Sequence, residues 1–114
     1  EDFHFVVFRS ETVLTEHVSD LSLQEAATDV AIYKQDTAWL RESDIVIAEC
    51  SSPSLGVGYE LAYAEKYGKP VHIFYNRLRT SLSAMLTGDA YFTIHPYDRE
   101  DEIFPVLDDL LANI

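Results

Sequence analysis

The stretch Ser51-Ser52-Pro53-Ser54-Leu55-Gly56-Val57-Gly58-Tyr59-Glu60 carries the residue types best suited to chemistry in this sequence. It follows an apolar run, Ile45-Val46-Ile47-Ala48-Glu49, that suits a strand buried on both faces of a parallel sheet. It leads into a segment from Val57 to Tyr67 that reads as a helix. A strand-to-helix junction exposes backbone N–H groups at the positive end of the helix dipole, and Ser54 adds a hydroxyl there. Gly56 and Gly58 allow a phosphate to approach the backbone closely. The same pattern reads equally as a tight turn followed by an ordinary N-cap, because short glycine motifs recur without any ligand.

Four further residues could work with this loop, and each has a plainer reading. Glu60 falls in the first turn of the predicted helix, where a carboxylate can meet a substrate or merely complement the dipole. Asp36 lies within a predicted helix from Asp29 to Ser43, and an isolated helical Asp ordinarily faces solvent. His17, at the end of a strand-like run, is by default a satisfied surface or core histidine. Ser83, within Leu82-Ser83-Ala84-Met85, is by itself a helical serine. His4, His17, His72 and His95 are scattered and Cys50 has no Cys or His beside it, so no metal and no cofactor is expected. No G-x-S-x-G turn accompanies any Ser–His–Asp order. Tyr59, Tyr63 and Tyr67 recur at helical spacing, which marks a packed or interfacial face more often than a cofactor site.

The elements that must position these groups alternate along the chain. Val13-Leu14-Thr15-Glu16-His17-Val18 reads as a strand, with a loop around Ser19 to Glu25 before the Asp29 helix, whose inward residues are Ile32, Ala38, Trp39 and Leu40. Gly68-Lys69-Pro70 stops the second helix, with Gly just past its end and Pro after it. Val71-His72-Ile73-Phe74-Tyr75 is the next strand, followed by a short helix near Ser81 to Leu86 and an edge strand at Tyr91 to Ile94. A last helix from about Glu100 to Ala112 is expected to be capped by Asp98, with Ile103, Phe104, Val106, Leu107, Leu110 and Leu111 inward. Phe3 to Phe8 reads as a first strand or as the stump of a helix. This alternation predicts an α/β fold, an open parallel sheet of Rossmann-like or flavodoxin-like type with helices on both faces. Ligands bind such sheets outside the carboxyl ends of the strands. The polar residues at those ends are Glu16 and His17, Glu49 to Ser54, and Asn76 to Arg79.

Composition bounds the rest. A chain of 114 residues supports one core. A net charge of −12 repels polyanions, so no nucleic-acid polymer is expected as partner, although a local nest of N–H groups can still hold one small phosphate. A single cysteine, Cys50, forms no internal disulfide and points to a reducing intracellular compartment, cytoplasmic or nuclear. No apolar run reaches membrane-span length and no signal-peptide pattern opens the chain, so no membrane partner is expected.

Taken together, the fragments resemble the 2′-deoxynucleoside 5′-phosphate N-hydrolases, a branch of the nucleoside 2-deoxyribosyltransferase superfamily. The residues that carry the resemblance are Val13 to Val18, Asp36 with Trp39-Leu40 and Ser43-Asp44, Ala48-Glu49, the dense run Pro53 to Leu61, Gly68-Lys69-Pro70 and Leu82 to Met85. The run from Ser54 to Glu60 is the most specific of these, and the tail beyond Gly88 matches only as strand then helix. The resemblance implies one such domain over residues 1–114 and a hydrolase that frees the base from a deoxynucleoside 5′-monophosphate. It implies Glu60 as the nucleophile at the anomeric carbon, with Asp36 holding or protonating groups as the base departs. Ser54 would bind the 5′-phosphate together with the helix start at Gly56 and Gly58, and His17 would line the pocket. Ser83 would reach the phosphate of a neighbouring subunit in a homodimer. Two other readings share these residues: a deoxyribosyltransferase that passes the sugar to another base, and a non-catalytic nucleotide-binding module. The family normally opens with a strand and a Gly-Ser-Ile-Arg-Gly-Gly type loop that nothing in the sequence matches, so that segment is expected to lie outside it.

Overall fold

A computed structural model describes residues 28–52 and 54–113, and the backbone of residues 3–8 and 13–17. The elements are β1 (Phe3–Phe8), β2 (Val13–His17), α1 (Asp29–Glu42), β3 (Ile45–Glu49), α2 (Leu55–Lys66), β4 (Val71–Asn76), α3 (Ala84–Thr87), β5 (Thr93–Tyr97), a 3₁₀ turn (Glu100–Glu102) and α4 (Ile103–Ala112). The strands form one sheet in the order β2-β1-β3-β4-β5. β3, β4 and β5 run parallel. The α/β class and the open parallel sheet expected from the alternation are therefore the centre of the fold.

The sheet is extended by β1, which pairs antiparallel with both β2 and β3. Only residues 9–12 separate β1 from β2. That is far too short for the crossover that parallel neighbours need, so a hairpin is the geometry left to them. Phe3 to Phe8 is thus a strand, the first of its two sequence readings. The loop around Ser19 to Glu25 and Pro53 lie outside the described residues.

Alternation along each strand sorts the core into two layers. Val46, Ala48, Val71 and Ile73 face Leu40 of α1 and Val57, Leu61 and Ala64 of α2. Ile45, Ile47, Phe74 and Tyr97 face the other way, against Ile103, Val106, Leu107, Leu110 and Leu111 of α4. Helices cover both faces, as expected. Leu40 and Leu61 are essentially without solvent contact. Burial of each is worth roughly 1.5–3 kcal/mol, more than the roughly 1 kcal/mol of a helix cap. Packing, rather than capping, fixes how deep α1 and α2 sit.

Several boundaries differ from the sequence reading. β5 starts at Thr93, because Tyr91 and Phe92 close a turn on Asp89 through their N–H groups, at 2.9 Å to its carboxylate and 3.2 Å to its carbonyl. Asp98 does not cap the last helix: its carboxylate accepts two bonds from the Arg77 guanidinium, at 2.6 and 3.1 Å. Phe104 is 62% exposed, since the stripe Ile103, Val106, Leu107, Leu110 and Leu111 leaves it beside the buried face. The stop after α2 is as read: Gly68 takes the left-handed φ of 71° that glycine alone adopts cheaply.

Candidate active site

The loop after β3 ends on Ser54, whose backbone is extended (φ −154°, ψ 125°) and whose hydroxyl accepts the Val57 N–H at 3.2 Å. The Gly58 N–H donates to the Ser54 carbonyl at 3.2 Å. Helix α2 therefore begins at Leu55, two residues before the Val57 start read from sequence. Glu60 accordingly lies in the second turn, not the first, and a simple pairing with the dipole no longer explains it. Ser54 is an N-cap, but capping uses only an oxygen lone pair and leaves its O–H proton available to an anion. The first N–H groups of the helix, at Leu55 and Gly56, have no partner within the helix by its geometry. A Cβ on Gly56 would meet only the Ser54 Oγ at 3.8 Å, and one on Gly58 nothing within 4 Å. Internal packing does not require these glycines, so what they provide is open access to the backbone.

Between α1 and α2 lies a hollow of about 250 Å³ lined by Asp29, Ile32, Tyr33, Asp36, Thr37, Gly56, Tyr59 and Glu60. Asp36 and Glu60 are each only 8% exposed. The solvent-facing position expected for an isolated helical Asp is thus wrong for Asp36, because the packing of α1 on α2 closes over it. Burying two carboxylates in the lining of one hollow costs free energy that apolar residues would not, and such arrangements concentrate at functional sites. Among the described residues no buried side-chain nitrogen or oxygen lacks a hydrogen-bond partner.

Tyr33 and Tyr59 flank the hollow edge-to-face, with ring centroids 6.3 Å apart. Sequence reasoning missed Tyr33 and Asp29. Their signal was present as spacing: positions 29, 32, 33, 36 and 37 form one helical stripe on α1, as 56, 59 and 60 do on α2. Acids within the first stripe hid it from a search for apolar periodicity.

A larger hollow of about 700 Å³ lies on the other side of the start of α2, lined in part by Cys50, Ser54, Leu55, Gly58, Ser83 and Met85. Ser83 is not within a helix turn but caps α3, accepting the Met85 N–H at 3.2 Å. The start of α2 thus divides the candidate residues: Asp36, Gly56 and Glu60 on one side, Ser54, Gly58 and Ser83 on the other, with Tyr59 touching both. Burial and then the Glu49 charge push the Cys50 thiol up to about 12, which disfavours the nucleophilic thiolate at neutral pH. The His17 side chain lies outside the described residues, and its backbone ends β2 opposite Phe3. β2 runs in the same direction as β3, both being antiparallel to β1, so His17 closes the same rim of the sheet. Among the described residues no three His, Cys, Asp or Glu side chains converge as metal ligands. No described helix is long and apolar enough to cross a membrane.

Comparison with known proteins matches residues 4–103 to the family described as nucleoside 2-deoxyribosyltransferase. The 5-hydroxymethyl-dUMP N-hydrolase of Mus musculus is 43% identical over 98 residues, which are 78% of this chain and 57% of that protein. The protein of the same name from Tetraodon nigroviridis is 42% identical over 112 residues, 90% of this chain and 78% of that protein. The chain spans about three fifths of the length of several curated relatives it matches. The solved structure of Clostridium botulinum CMP N-glycosidase, BcmB, is alike in fold, with a TM-score of 0.61 at 23% identity over 77% of this chain and 84% of that one.

Proposed function

The chain belongs to the nucleoside 2-deoxyribosyltransferase family, and from that footing we propose that it hydrolyses the N-glycosidic bond of 2′-deoxynucleoside 5′-monophosphates. The observation that carries this reading is the burial of Asp36 and Glu60 in one hollow against the start of α2. The N-hydrolase names of the mouse and Tetraodon relatives favour water, rather than a second base, as the acceptor.

In this reading the 5′-phosphate sits at the α2 start, held by the Ser54 O–H and the N–H groups of Leu55 and Gly56, with Gly58 leaving room. A phosphate anchored there brings C1′ of the sugar toward the Glu60 hollow, so that binding energy remote from the bond lowers the barrier to breaking it. The Glu60 carboxylate attacks C1′ as the C1′–N bond breaks, and the bonding pair leaves with the base. Asp36 holds or delivers the proton that the departing base takes up. The transition state resembles an oxocarbenium ion, which a carboxylate stabilises and can trap as an ester. Water then attacks C1′, its proton passes to solvent, and Glu60 is returned with release of 2-deoxyribose 5-phosphate. His17 lines the nucleotide from the end of β2. Ser83, exposed at the start of α3, reaches the phosphate of a second copy in a homodimer.

A panel of deoxynucleoside monophosphates, followed by chromatography of free base, tests the proposal. Base release from the monophosphates and at least tenfold less from the matching deoxynucleosides is expected. Equal cleavage without phosphate would remove the anchor from the account, and exchange products on adding a second base would make the protein a transferase.

A further inference from the structure

Glu49 closes β3, and the roles assigned above do not use it. Its carboxylate is the meeting point of the three parallel strands. One oxygen accepts the Ser51 N–H at 3.0 Å. The other accepts the Ser51 hydroxyl and the Tyr97 hydroxyl, the latter at 2.6 Å. The Ser51 oxygen accepts in turn the N–H of Asn76, the last residue of β4, at 2.8 Å. Tyr97 is the last residue of β5 and is 6% exposed, while Ser51 is 8% exposed. The Cys50 N–H extends the β3–β4 ladder one step further, to the Phe74 carbonyl at 2.8 Å.

We infer that Glu49 is a positioning residue for the phosphate-binding loop, holding the chain between β3 and α2 so that Ser54 and the first N–H groups of α2 converge on one point. The inference rests on the functional reading given above. Ser51 is gripped through both its backbone and its side chain, which fixes the direction in which the loop leaves the sheet three residues before Ser54. The far end of the same loop is fixed by the Ser54 cap and by the burial of Val57 and Leu61. A loop fixed at both ends presents its donors without an ordering cost when the anion arrives. The chemistry asks for an acid at this position. All the groups that face the carboxylate are donors, and bonds to an ionised acceptor are roughly twice as strong as neutral ones. A glutamine would turn an NH₂ toward one of those donors and lose that contact. Burial, and then the hydrogen bond to Glu49, raise the Tyr97 hydroxyl above its usual range, so it stays protonated and donating at neutral pH.

Two variants, Glu49→Gln and Tyr97→Phe, test this with two readouts. The first is the KM against kcat split for a deoxynucleoside 5′-monophosphate. We expect KM to rise about tenfold in Glu49→Gln, and less in Tyr97→Phe, with kcat within about threefold of the parent. The second is amide hydrogen exchange at residues 51–57, which is expected to accelerate in both variants while exchange in the β4 core stays slow. Folded variants with parental KM and parental loop exchange overturn the inference. If the parent turns over no deoxynucleotide, the functional reading fails on its own. Exchange at residues 51–57 then still decides whether Glu49 fixes the loop, and no change there overturns that.

Discussion

At the scale of single residues, the proposed function gives Ser54 two tasks within one hydroxyl. The oxygen caps α2 and the proton remains free to bind an anion. The two sequence readings of this residue are therefore compatible. Ser54→Ala is expected to cost about 1 kcal/mol of stability, the ordinary loss of a cap, read as a fall in melting temperature. It is also expected to raise KM for the monophosphate while leaving cleavage of the unphosphorylated nucleoside, however slow, nearly unchanged. A parallel loss on both substrates would mean that Ser54 acts only through the helix. The Ser54–Gly58 loop was legible because turn chemistry is local. Only the resemblance pointed to Asp36, and its burial was not legible locally, because it depends on α1 meeting α2, a contact that no window of sequence around residue 36 contains.

At the scale of elements, β3, the end of α2 at Gly68 and the apolar stripe of α4 were legible from periodicity and punctuation. The start of α2, the start of β5 and the entry to α4 were not: the first two are set by the Ser54 cap and the Asp89 turn, which periodicity does not register, and the third by a side chain from elsewhere. Asp98 is the clearest case: a good capping residue by type, it is claimed by Arg77 from the neighbouring strand end. The β4–β5 pair adds something periodicity could not reveal. His72 Nδ1 and His95 Nε2 lie 3.0 Å apart, and Phe74 stacks on His95 at 4.6 Å between centroids. Burial lowers the pKa of both imidazoles below the usual 6.5, with the His95 charge adding to the effect at His72. The unfolded chain therefore binds more protons than the folded one as pH falls below 6.5. Stability from the neutral pair is complete above that value and is lost progressively as pH drops toward the lowered folded values. Melting curves from about pH 7.5 to about 5.5 should show a falling midpoint, and His95→Gln should flatten the fall. A parent midpoint that holds constant across this range would show that the pair does not titrate in that window.

At the scale of the molecule, the start of one helix divides two hollows, with Asp36 and Glu60 on one side and Ser54 and Ser83 on the other. The strongly acidic chain gives no long-range attraction for a nucleotide, so the proposed binding relies on short-range donors at α2. The resemblance to a family was legible because the Pro53 to Leu61 run is dense and ordered, and it supplied what composition and spacing could not: the proposal that Glu60 is the acid that attacks. The burial of both carboxylates keeps water from the hollow they line, and it does not by itself distinguish one acid from the other. The measurement that tests the proposed role of Glu60 most directly is the rate of base release from a deoxynucleoside 5′-monophosphate by Glu60→Ala protein whose melting temperature matches the parent. The account predicts a fall of about a thousandfold or more, and turnover within tenfold of the parent would contradict it.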